Sequence, residues 1–447
     1  MFFYIETLGC KVNQYESAAI AELLRGNGHI EVQKSEPRDV SIVNTCAVTG
    51  DASRQSRQTA RRLRREFPDA KLVICGCASQ IEPDAARELG ADLVAGAGDK
   101  RGLVGEIERL IDENSLRHAA RDTSLREGGL PPSPRGVSAE PTGGAFEPLP
   151  SASIAGRTRA MLKIQDGCDN FCSYCVIPYA RGRVRSLPVA AIADEAKSLA
   201  SQGFAEIVLT GIEICSYGRD LDSETLIDAI RAAASAAPTA RLRLGSLEPS
   251  CVTDEFVTAL AAIPNLCDHF HLSLQSGSDG VLKRMRRKYG TAEFFAALKR
   301  LRTAYPNCGV TADVIAGFPG ETDAEHAETV AFLERCAFSA AHVFPYSKRP
   351  GTPAAAMENQ LPNAVKKARA AELRAVAAAT GAAFAASQVG RVLEVLFERE
   401  ADGGSVGHSS NYLEVRVLNA GIRGKTLAVS VAKAVIERPL DGTLINT

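Results

Sequence analysis

The stretch DGCDNFCSYCVIPYARGR (Asp166–Arg183) contains Cys168, Cys172 and Cys175, with three residues in the first gap and two in the second. No fourth cysteine or histidine follows nearby. A structural zinc site normally has four protein ligands, and a ferredoxin-type run supplies a fourth cysteine. Three thiolates alone leave one iron of a 4Fe-4S cluster open to an outside ligand. The spacing therefore favours an iron–sulfur site with one free coordination position.

The composition is that of an ordinary globular protein. The chain has 447 residues, of which 45% are hydrophobic and 23% are charged, and this length suggests roughly two to four domains. A net charge of −1 means that any nucleic-acid binding must come from local patches. The start, MFFYIETLGC, has no features of a signal peptide, and no run of about 18 apolar residues predicts a membrane span. We therefore expect a cytoplasmic protein that binds no membrane, and its twelve cysteines are expected to lie in a reducing compartment, where thiols bind metals or do chemistry more often than they form disulfides.

Short apolar runs alternate with helical stretches in the N-terminal part. The runs FFYIET, DVSIVNT and AKLVIC are predicted strands, each followed by a predicted helix: Val12–Gly26, Asp51–Phe67 and Pro83–Leu89. This alternation is typical of a parallel sheet. We assign it to an N-terminal domain of residues 1–113. The segment 114–154, rich in Pro, Gly and Ser, is predicted to be a flexible linker.

The alternation restarts after this linker. The predicted strands are AMLKI, AEIVLTG, ARLRLGS, DHFHLSL, GVTADVI and AAHVF. They suit a partial, open (β/α)6 barrel over residues 155–385. Residues 386–447 contain short β-type runs separated by turns, which predicts a small β-barrel of a kind that often binds nucleic acid. The predicted fold class is α/β, with an N-terminal parallel α/β domain, the partial barrel and a small C-terminal β-barrel.

A second set of cysteines, Cys10, Cys46 and Cys77, follows the first three predicted strands. In an open parallel sheet, ligands bind outside the carboxyl ends of the strands. The three thiols are thus expected to meet in one crevice, although any one alone would more often be a core residue. The other cysteines are predicted to fill space in the core: Cys75, Cys215, Cys251, Cys267, Cys308 and Cys336.

These motifs resemble a known family. The CxxxCxxC spacing, with Tyr174 before the last cysteine, resembles the radical S-adenosylmethionine (SAM) superfamily. TLGCKVNQYES (Thr7–Ser17), VNTCAVT (Val43–Thr49) and GCASQ (Gly76–Gln80) resemble the cysteine motifs of the methylthiotransferase family. The C-terminal GHSSNYLEVRV resembles a TRAM domain, a small RNA-binding β-barrel. One departure is Ser273, which stands where the family usually has proline.

The resemblance implies two 4Fe-4S clusters and SAM as cofactors. The radical SAM cluster, which cleaves SAM into a radical, would be held by Cys168, Cys172 and Cys175. The auxiliary cluster, which carries the sulfur to be transferred, would be held by Cys10, Cys46 and Cys77. The implied partners are tRNA, a flavodoxin- or ferredoxin-like electron donor and a sulfur donor.

The implied reaction adds a methylthio group to C2 of N6-threonylcarbamoyladenosine, the adenosine 37 next to the anticodon of tRNA. GCKVNQYES is most similar to the enzymes with that substrate. The alternatives within the family are isopentenyladenosine in tRNA and an aspartate of a ribosomal protein. The alternative from another class is a non-catalytic iron–sulfur protein that binds RNA.

Residues around the predicted strand ends are candidates for SAM binding, with turn geometry as the alternative reason for the glycines. They are Tyr174, Thr210, Gly211, Gln275 and Gly317. Two basic runs are candidate RNA-binding surfaces, one on the predicted helix Asp51–Phe67 and one at Lys283–Lys288. Such runs are usually solvated faces, but two of them in a chain of balanced charge favour RNA binding. The residues chosen for this role are Arg57, Arg61, Arg284 and Arg287.

Overall fold

The computed structural model describes residues 1–121, 146–150, 157–401, 403–418, 420–434 and 439–445. The chain divides into two compact units. The first unit contains residues 1–153, 166–169 and 175–185, and the second contains residues 154–165, 170–174 and 186–447. Within the described ranges, no helix is both long and apolar enough to cross a membrane.

A parallel β-sheet forms the centre of the first unit. Its strands are β1 (Phe2–Thr7), β2 (Ile30–Glu31), β3 (Val40–Thr45), β4 (Lys71–Gly76) and β5 (Leu93–Val94). The spatial order is β2-β1-β3-β4-β5, and every neighbouring pair is parallel. Every residue of β3 is buried, as expected for a strand that is covered on both faces. The parallel N-terminal sheet that the sequence predicts is thus confirmed.

Helices cover both faces of this sheet. The helices of the first unit are α1 (Lys11–Gly26), α2 (Gly50–Glu66), α3 (Cys77–Ile81), α4 (Pro83–Arg87), α5 (Lys100–Arg121) and α6 (Ile177–Arg181). Side chains of α1 and α5 join an apolar cluster with Ile42 and Val73. Side chains of α2 and α4 join another cluster with Val43 and Ile74. Successive strand residues point to opposite faces, so the two clusters lie on opposite sides of the sheet.

The predicted linker, residues 114–154, lies largely outside the described residues. Helix α5 continues to Arg121, so the linker's first residues are helical. Residues 146–150 contact the first unit: the Arg101 backbone N–H donates to Glu147 at 3.0 Å, and the Tyr15 hydroxyl donates to the Leu149 carbonyl at 3.0 Å. This part of the predicted linker therefore packs on the N-terminal sheet domain.

The second unit contains the predicted run of parallel strands. The strands are β6 (Arg159–Lys163), β9 (Glu206–Thr210), β10 (Arg241–Leu244), β11 (Ser246–Leu247), β12 (His269–Gln275), β13 (Gly309–Ala316) and β14 (Ala340–Pro345), and the chain between β6 and β9 contains the short strands β7 (Gln165–Asp166) and β8 (Arg185–Ser186). Three strands pair in the order β10-β9-β6 and four pair in the order β11-β12-β13-β14, and all these pairs are parallel. Only Gly245 separates β10 from β11, so one stretch of chain contributes to both sheets. The six predicted strands are all present, which confirms the parallel (β/α) region.

Helices separate these strands. They are α7 (Val189–Ser201), α8 (Leu226–Ala236), α9 (Asp254–Ala261), α10 (Asp279–Arg284), α11 (Thr291–Ala304), α12 (Asp323–Cys336), α13 (Pro353–Ala356) and α14 (Asn363–Ser387). The starts of α8 and α12 are set by local sequence, because Thr225 with Asp228 and Thr322 with Glu325 form capping boxes.

A closed five-stranded barrel follows α14. Its strands are β15 (Val392–Ala401), β16 (Gly404–Ser409), β17 (Glu414–Val417), β18 (Thr426–Lys433) and β19 (Leu440–Leu444). The order around the barrel is β15-β16-β17-β19-β18. Alternate residues such as Val395, Phe397, Val415 and Val429 fill its interior. The small C-terminal β-barrel is thus confirmed.

A buried ion cluster joins this small barrel to the amino ends of the parallel strands. Glu206 accepts hydrogen bonds from the Nε atoms of Arg241 at 2.6 Å and Arg243 at 2.8 Å. The same guanidinium groups donate to the backbone carbonyls of His408 at 2.8 Å and Ser410 at 2.9 Å. Burial disfavours the charged carboxylate, but Arg243 and Arg241 outweigh it and lower the pKa of Glu206 to about 2. The carboxyl ends of the strands are left for other partners.

An aromatic stack reinforces the same junction. The Tyr412 ring lies between the rings of His269 and His408, with centroid distances of 4.6 and 4.8 Å. The Arg243 guanidinium lies 4.7 Å from the Tyr412 centroid. Tyr412 therefore serves packing between the small barrel and the parallel strands.

Replacing Glu206 by Gln is expected to destabilise the second unit at neutral pH by about 3–5 kcal/mol, because two buried arginines lose their shared carboxylate. The folded-state pKa of Glu206 lies below its ordinary value of 4.5. Its contribution is therefore present above pH 4.5 and is lost as the pH falls toward 2. Urea unfolding followed by circular dichroism at several pH values measures both effects.

The matched control is Glu394→Gln. The Glu394 carboxylate also pairs with Arg241, at 3.9 Å, but the Glu394 side chain is 59% exposed. The expected change in unfolding free energy is therefore below about 1 kcal/mol. Equal stability of the Glu206→Gln variant and the parent at neutral pH would show that the buried cluster does not hold this junction.

Candidate active site

The three N-terminal cysteines lie at the carboxyl ends of three adjacent strands of the first unit. Cys10 follows β1 and is the N-cap of α1. Cys46 directly follows β3, and Cys77 directly follows β4 and begins α3. Because β1, β3 and β4 are neighbours in a parallel sheet, their carboxyl ends meet at one edge. The chain therefore gathers thiols from three distant sequence positions.

The thiols are close enough to influence one another. Burial raises the pKa of Cys46, and the Cys10 thiolate raises it further, while the Cys10 backbone N–H opposes the shift. Burial likewise raises the pKa of Cys77 to about 12, Arg181 opposes this, and Cys10 and Cys46 add to it. Three thiols held close together, two of them buried, are a poor arrangement for free cysteines. They become a good one when a metal takes them as thiolates.

Two glycines make this approach possible. Gly9 and Gly76 precede Cys10 and Cys77 and have φ angles of +96° and +103°. A Cβ atom on Gly9 would overlap the side chain of Cys46. A Cβ atom on Gly76 would lie 2.5 Å from both the Asn44 Oδ1 atom and the Thr45 carbonyl oxygen. Both positions require glycine for its conformation and for its size.

A buried arginine contacts this thiol set. Arg181, the last residue of α6, is 1% exposed. Its Nε atom lies 3.2 Å from the Cys77 Sγ atom, and its other donors reach Asn13, Glu16 and Asp166. No role was predicted from the sequence for this arginine or for Glu16. The available signal was that Arg181 lies in the CxxxCxxC stretch Asp166–Arg183 and Glu16 in the first cysteine motif, Thr7–Ser17.

Cys168 and Cys175 belong to the first unit, where a tight loop holds them. The Cys168 backbone N–H donates to the Gly182 carbonyl at 3.1 Å, and the Ile177 N–H donates to the Cys175 Sγ atom at 3.4 Å. Gly167 has a φ of +72°, and a Cβ atom there would overlap the Arg183 carbonyl group. The backbone around the two cysteines is thus fixed by its own hydrogen bonds.

Cys172 and Tyr174 belong to the second unit. The Arg287 guanidinium donates to the Cys172 Sγ atom at 3.0 Å and to Glu248 at 2.6 Å. Tyr174 makes an edge-on contact with Phe318, with 6.4 Å between the ring centroids. Cys172 therefore lies beside a positively charged side chain that is itself paired with a carboxylate.

The second basic run is placed differently from the sequence prediction. The Arg287 side chain is 6% exposed and faces Cys172 and Glu248, so it is not on a surface that RNA can reach. Arg284 forms a two-pronged ion pair with Glu325, with both distances 2.8 Å. Nearby carboxylates neutralise both side chains, which makes them less suited to bind phosphate, and the RNA-binding role of Arg284 and Arg287 stays a prediction.

The first basic run remains on the surface. Helix α2 buries Ser53, Ser56, Ala60 and Leu63 and leaves Arg54, Arg61 and Arg65 exposed. Arg57 is 41% exposed and has a long ion pair of 3.8 Å with Glu82. This helix begins four residues after Cys46. The arginine face is therefore attached to the loop that carries one of the thiols.

The candidate SAM-binding residues lie at the carboxyl ends of the strands of the second unit. Thr210 ends β9, and Gly211 lies against Gln165, where a Cβ atom would come within 2.8 Å of the Gln165 Oε1 atom. Gln275 ends β12 at a bulge, with a φ of +67°. The bulge redirects the side chain at the strand end, a common device near active sites.

Gly317 has a structural role. It has a φ of +73°, and a Cβ atom there would lie 2.6 Å from the Lys366 Cγ atom. Its backbone N–H donates to the two Glu321 carboxylate oxygens at 3.0 and 3.2 Å. Turn geometry is therefore sufficient to require glycine at this position, and a contact of Gly317 with SAM stays a prediction.

The remaining cysteines divide into two groups. Four are buried, as predicted for core residues: Cys75, Cys267, Cys308 and Cys336. Cys215 and Cys251 differ from that prediction, because they are paired as a disulfide with their Cα atoms 6.1 Å apart. The Cys215 Sγ atom also accepts a hydrogen bond from the Glu248 N–H at 3.1 Å. Their separation of 36 residues gave no sequence signal of this pairing.

The thiol set of the first unit fits a cluster better than a single ion. Among the residues that the structure describes, no three His, Cys, Asp or Glu side chains form a group that could hold one metal ion. Cysteines that hold a 4Fe-4S cluster each bind a different iron atom, so their sulfur atoms need not converge on one point. Three thiols at one sheet edge, two of them buried and one of those beside an arginine, are compatible with this requirement.

Replacing Gly76 by Ala is expected to cost more than about 2 kcal/mol of unfolding free energy, because the positive φ and a backbone clash act together. Gly28→Ala is the matched control: it has a φ of +84°, but a Cβ atom there has nothing within 4 Å. It should cost only about 1 kcal/mol. Urea unfolding of both variants measures the difference, and equal losses would mean that Gly76 is not needed for its size.

Two family models match the chain. One is described as the radical SAM superfamily and matches residues 162–333. The other is described as the uncharacterized protein family UPF0004 and matches residues 2–96. The second match covers the sheet that carries Cys10, Cys46 and Cys77. The first covers the (β/α) region and the CxxxCxxC motif.

Solved structures share the fold at low sequence identity. The radical SAM methyltransferase TsrM of Kitasatospora setae superposes with a TM-score of 0.57 and 16% identity, over 79% of this chain and 74% of that chain. The cobalamin-dependent SAM radical enzyme OxsB superposes with a TM-score of 0.51 and 12% identity, over 79% of this chain and 54% of that chain. These likenesses concern the fold alone.

Curated relatives match almost the whole chain. The threonylcarbamoyladenosine tRNA methylthiotransferase of Bacillus subtilis is 38% identical over 96% of this chain and 93% of its own length. The enzyme of that name from Thermotoga maritima is 38% identical over 88% of this chain and 86% of its own length. The tRNA-2-methylthio-N(6)-dimethylallyladenosine synthase of Clostridium novyi is 35% identical over 82% of this chain and 79% of its own length. With these motifs, this fold and relatives of this identity over most of its length, the chain belongs to the radical SAM tRNA methylthiotransferase family.

Proposed function

We propose that the enzyme adds a methylthio group to C2 of N6-threonylcarbamoyladenosine at position 37 of tRNA, next to the anticodon. The observation that carries the chemistry is the pair of three-cysteine sets: one in the CxxxCxxC motif, one at the edge of the N-terminal sheet. The observation that supports the substrate is the 38% identity to two relatives named for threonylcarbamoyladenosine.

Each set of thiols is proposed to hold a 4Fe-4S cluster. The radical SAM cluster takes Cys168, Cys172 and Cys175, and the auxiliary cluster takes Cys10, Cys46 and Cys77. When bound, the clusters supply the electron that cleaves SAM and the sulfur that is transferred. The chain supplies burial, since Cys46 and Cys77 are each 2% exposed. It also supplies positive charge, from Arg181 beside Cys77 and from Arg287 beside Cys172.

SAM is proposed to bind at the carboxyl ends of the parallel strands, near Tyr174, Thr210, Gly211 and Gln275. Active sites of parallel barrels lie at that end. The Gln165 Oε1 atom already accepts the Ile212 and Glu213 N–H groups at 3.0 and 2.8 Å. The loop after β9 is thus held in place before any cofactor binds. Gly317 is proposed to lie at the same site, and its positive φ also shapes the turn after β13.

The chain is proposed to work as three functional domains. Residues 1–113 bind the auxiliary cluster, residues 155–385 form the radical SAM core and residues 386–447 form an RNA-binding TRAM domain, with 114–154 as a linker. A flavodoxin- or ferredoxin-like electron donor and a separate sulfur donor complete the cycle. Because the substrate is tRNA, we place the enzyme in the cytoplasm.

A second candidate substrate is isopentenyladenosine, also called N6-dimethylallyladenosine. The synthase of Clostridium novyi, which is named for that nucleoside, is 35% identical to this chain. An aspartate of a ribosomal protein is a third candidate. A non-catalytic iron–sulfur RNA-binding protein would not need an iron with an open position, and the complete CxxxCxxC motif argues against it.

Deleting the gene should remove the methylthio form of threonylcarbamoyladenosine from total tRNA, as measured by nucleoside mass spectrometry. Complementation with Cys10→Ala or Cys168→Ala should fail, because each variant loses one cluster ligand. Cys75→Ala is the matched control, because this cysteine is also buried but belongs to neither set of three cysteines. Complementation with this variant should restore the nucleoside. In purified enzyme, Cys10→Ala should still cleave SAM, whereas Cys168→Ala should not.

The possible results separate the substrates. Loss of the methylthio form of isopentenyladenosine instead would keep the chemistry and change the substrate. If neither nucleoside changed, the ribosomal-protein aspartate would become the leading candidate. A Cys168→Ala variant that still cleaved SAM would end the radical SAM assignment of that motif.

The arginine face of α2 is proposed to bind the phosphate backbone of tRNA. Replacing Arg57 and Arg61 by Gln should weaken tRNA binding and lower the slope of log K against log salt by about one to two, because fewer counterions are released. Filter binding at several salt concentrations measures this. Arg109 and Arg231, which are exposed and lie outside both basic runs, give the matched double variant. Equal slopes for the two double variants would mean that the arginine face of α2 is an ordinary solvated surface that does not bind tRNA.

A further inference from the structure

Arg181 is a fully buried guanidinium whose five N–H donors all have acceptors. The Nε atom donates to the Cys77 Sγ atom at 3.2 Å. One terminal nitrogen donates to Glu16 at 2.8 Å and to Asp166 at 3.1 Å. The other donates to Asn13 at 3.0 Å and to Glu16 at 3.1 Å. Every donor direction of the planar group is thus used.

The charges around this guanidinium explain why it can be buried. An unpaired arginine in the interior would be very unfavourable, but two buried carboxylates, Glu16 and Asp166, face it. Burial opposes the charge, yet Cys77, Glu16 and Asp166 raise the pKa of Arg181 well above its ordinary value. The carboxylates already balance the arginine. Its contact with Cys77 is therefore an additional, directed hydrogen bond to sulfur.

The partners of Arg181 come from separate motifs of the first unit. Asn13 and Glu16 lie on the first two turns of α1, which Cys10 caps. Cys77 begins α3. Asp166 lies two residues before Cys168, and Arg181 itself lies six residues after Cys175. One side chain thus connects two auxiliary-cysteine motifs with both flanks of the CxxxCxxC motif.

We propose that Arg181 is a positioning residue for the auxiliary cluster: it orients the Cys77 thiolate through an N–H···S hydrogen bond and raises the reduction potential of that cluster. This inference rests on the proposed assignment of Cys10, Cys46 and Cys77 as cluster ligands. Hydrogen bonds to cysteine sulfur and nearby charge are main determinants of iron–sulfur potentials, and groups that orient metal ligands tune the metal. Lysine cannot replace this function fully, because an ammonium has three donors around one point whereas the guanidinium is a planar fork.

The test uses the full-length chain with Cys168, Cys172 and Cys175 replaced by Ala, so that only the auxiliary cluster can form. The reconstituted protein is titrated with reductant and followed by electron paramagnetic resonance. Arg181→Gln should shift the midpoint potential to more negative values and change the spectrum, because a positive charge and a hydrogen bond to sulfur are removed. Arg181→Lys should give a smaller shift in the same direction, since the charge is kept.

Glu16→Gln gives the opposite sign and does not alter the arginine itself. Removing this carboxylate leaves the charge of Arg181 less compensated near Cys77, so the potential should shift to more positive values. Arg183→Gln is the matched control. It removes one positive charge two residues from Arg181, but its side chain is 76% exposed and pairs with Asp169. Its potential and spectrum should equal those of the parent.

The outcomes distinguish this inference from the function on which it rests. If the triple-alanine protein bound no cluster, the auxiliary-cluster assignment would fall and the inference with it. If the cluster formed but Arg181→Gln left its potential and spectrum unchanged, only the inference would fall. If Arg181→Gln did not fold, Arg181→Lys would decide: a negative shift supports the role of Arg181, and an unchanged potential and spectrum overturn it.

Discussion

The carboxyl ends of parallel strands meet at one edge of a sheet, and the chemistry of this protein depends on that constraint. β1, β3 and β4 are adjacent, so cysteines at positions 10, 46 and 77 become neighbours without any local sequence signal between them. The same constraint in the second unit gathers the loop after β9 and the bulged end of β12 at one side of the strands. In each unit, the residues proposed for the reaction thus lie at the carboxyl ends of the parallel strands.

The opposite ends of the strands in the second unit are used for stability. Glu206 and Arg241 begin their strands, and together with Arg243 they bind backbone carbonyls of the small barrel. A buried ion cluster is an expensive way to join two parts of a chain, but its directed hydrogen bonds fix one orientation. The small barrel is therefore attached firmly at the end away from the proposed SAM site.

Buried arginines recur beside the cysteines of both proposed cluster sites. Arg181 contacts Cys77, and Arg287 contacts Cys172, each with a carboxylate as second partner. The pairing has a common physical reason. A thiolate needs positive charge nearby, a buried positive charge needs a carboxylate, and the carboxylate then orients the arginine. Both cysteine sets of the enzyme have the same three-part arrangement.

The sequence by itself determined the fold class, the six cluster cysteines proposed for the two sites and the family. These follow from local patterns: strand–helix alternation, the CxxxCxxC spacing and a cysteine after each N-terminal strand. Tertiary structure alone decided the fate of the charged residues. Arg57 and Arg287 look alike in the sequence, yet one stays on the surface and the other is buried against Cys172 and Glu248. The pairing of Cys215 with Cys251 and the contacts of Arg181 were also decided there. The physical reason is that apolar periodicity is set by neighbours along the chain, whereas a charge or a thiol takes its role from partners far away in sequence.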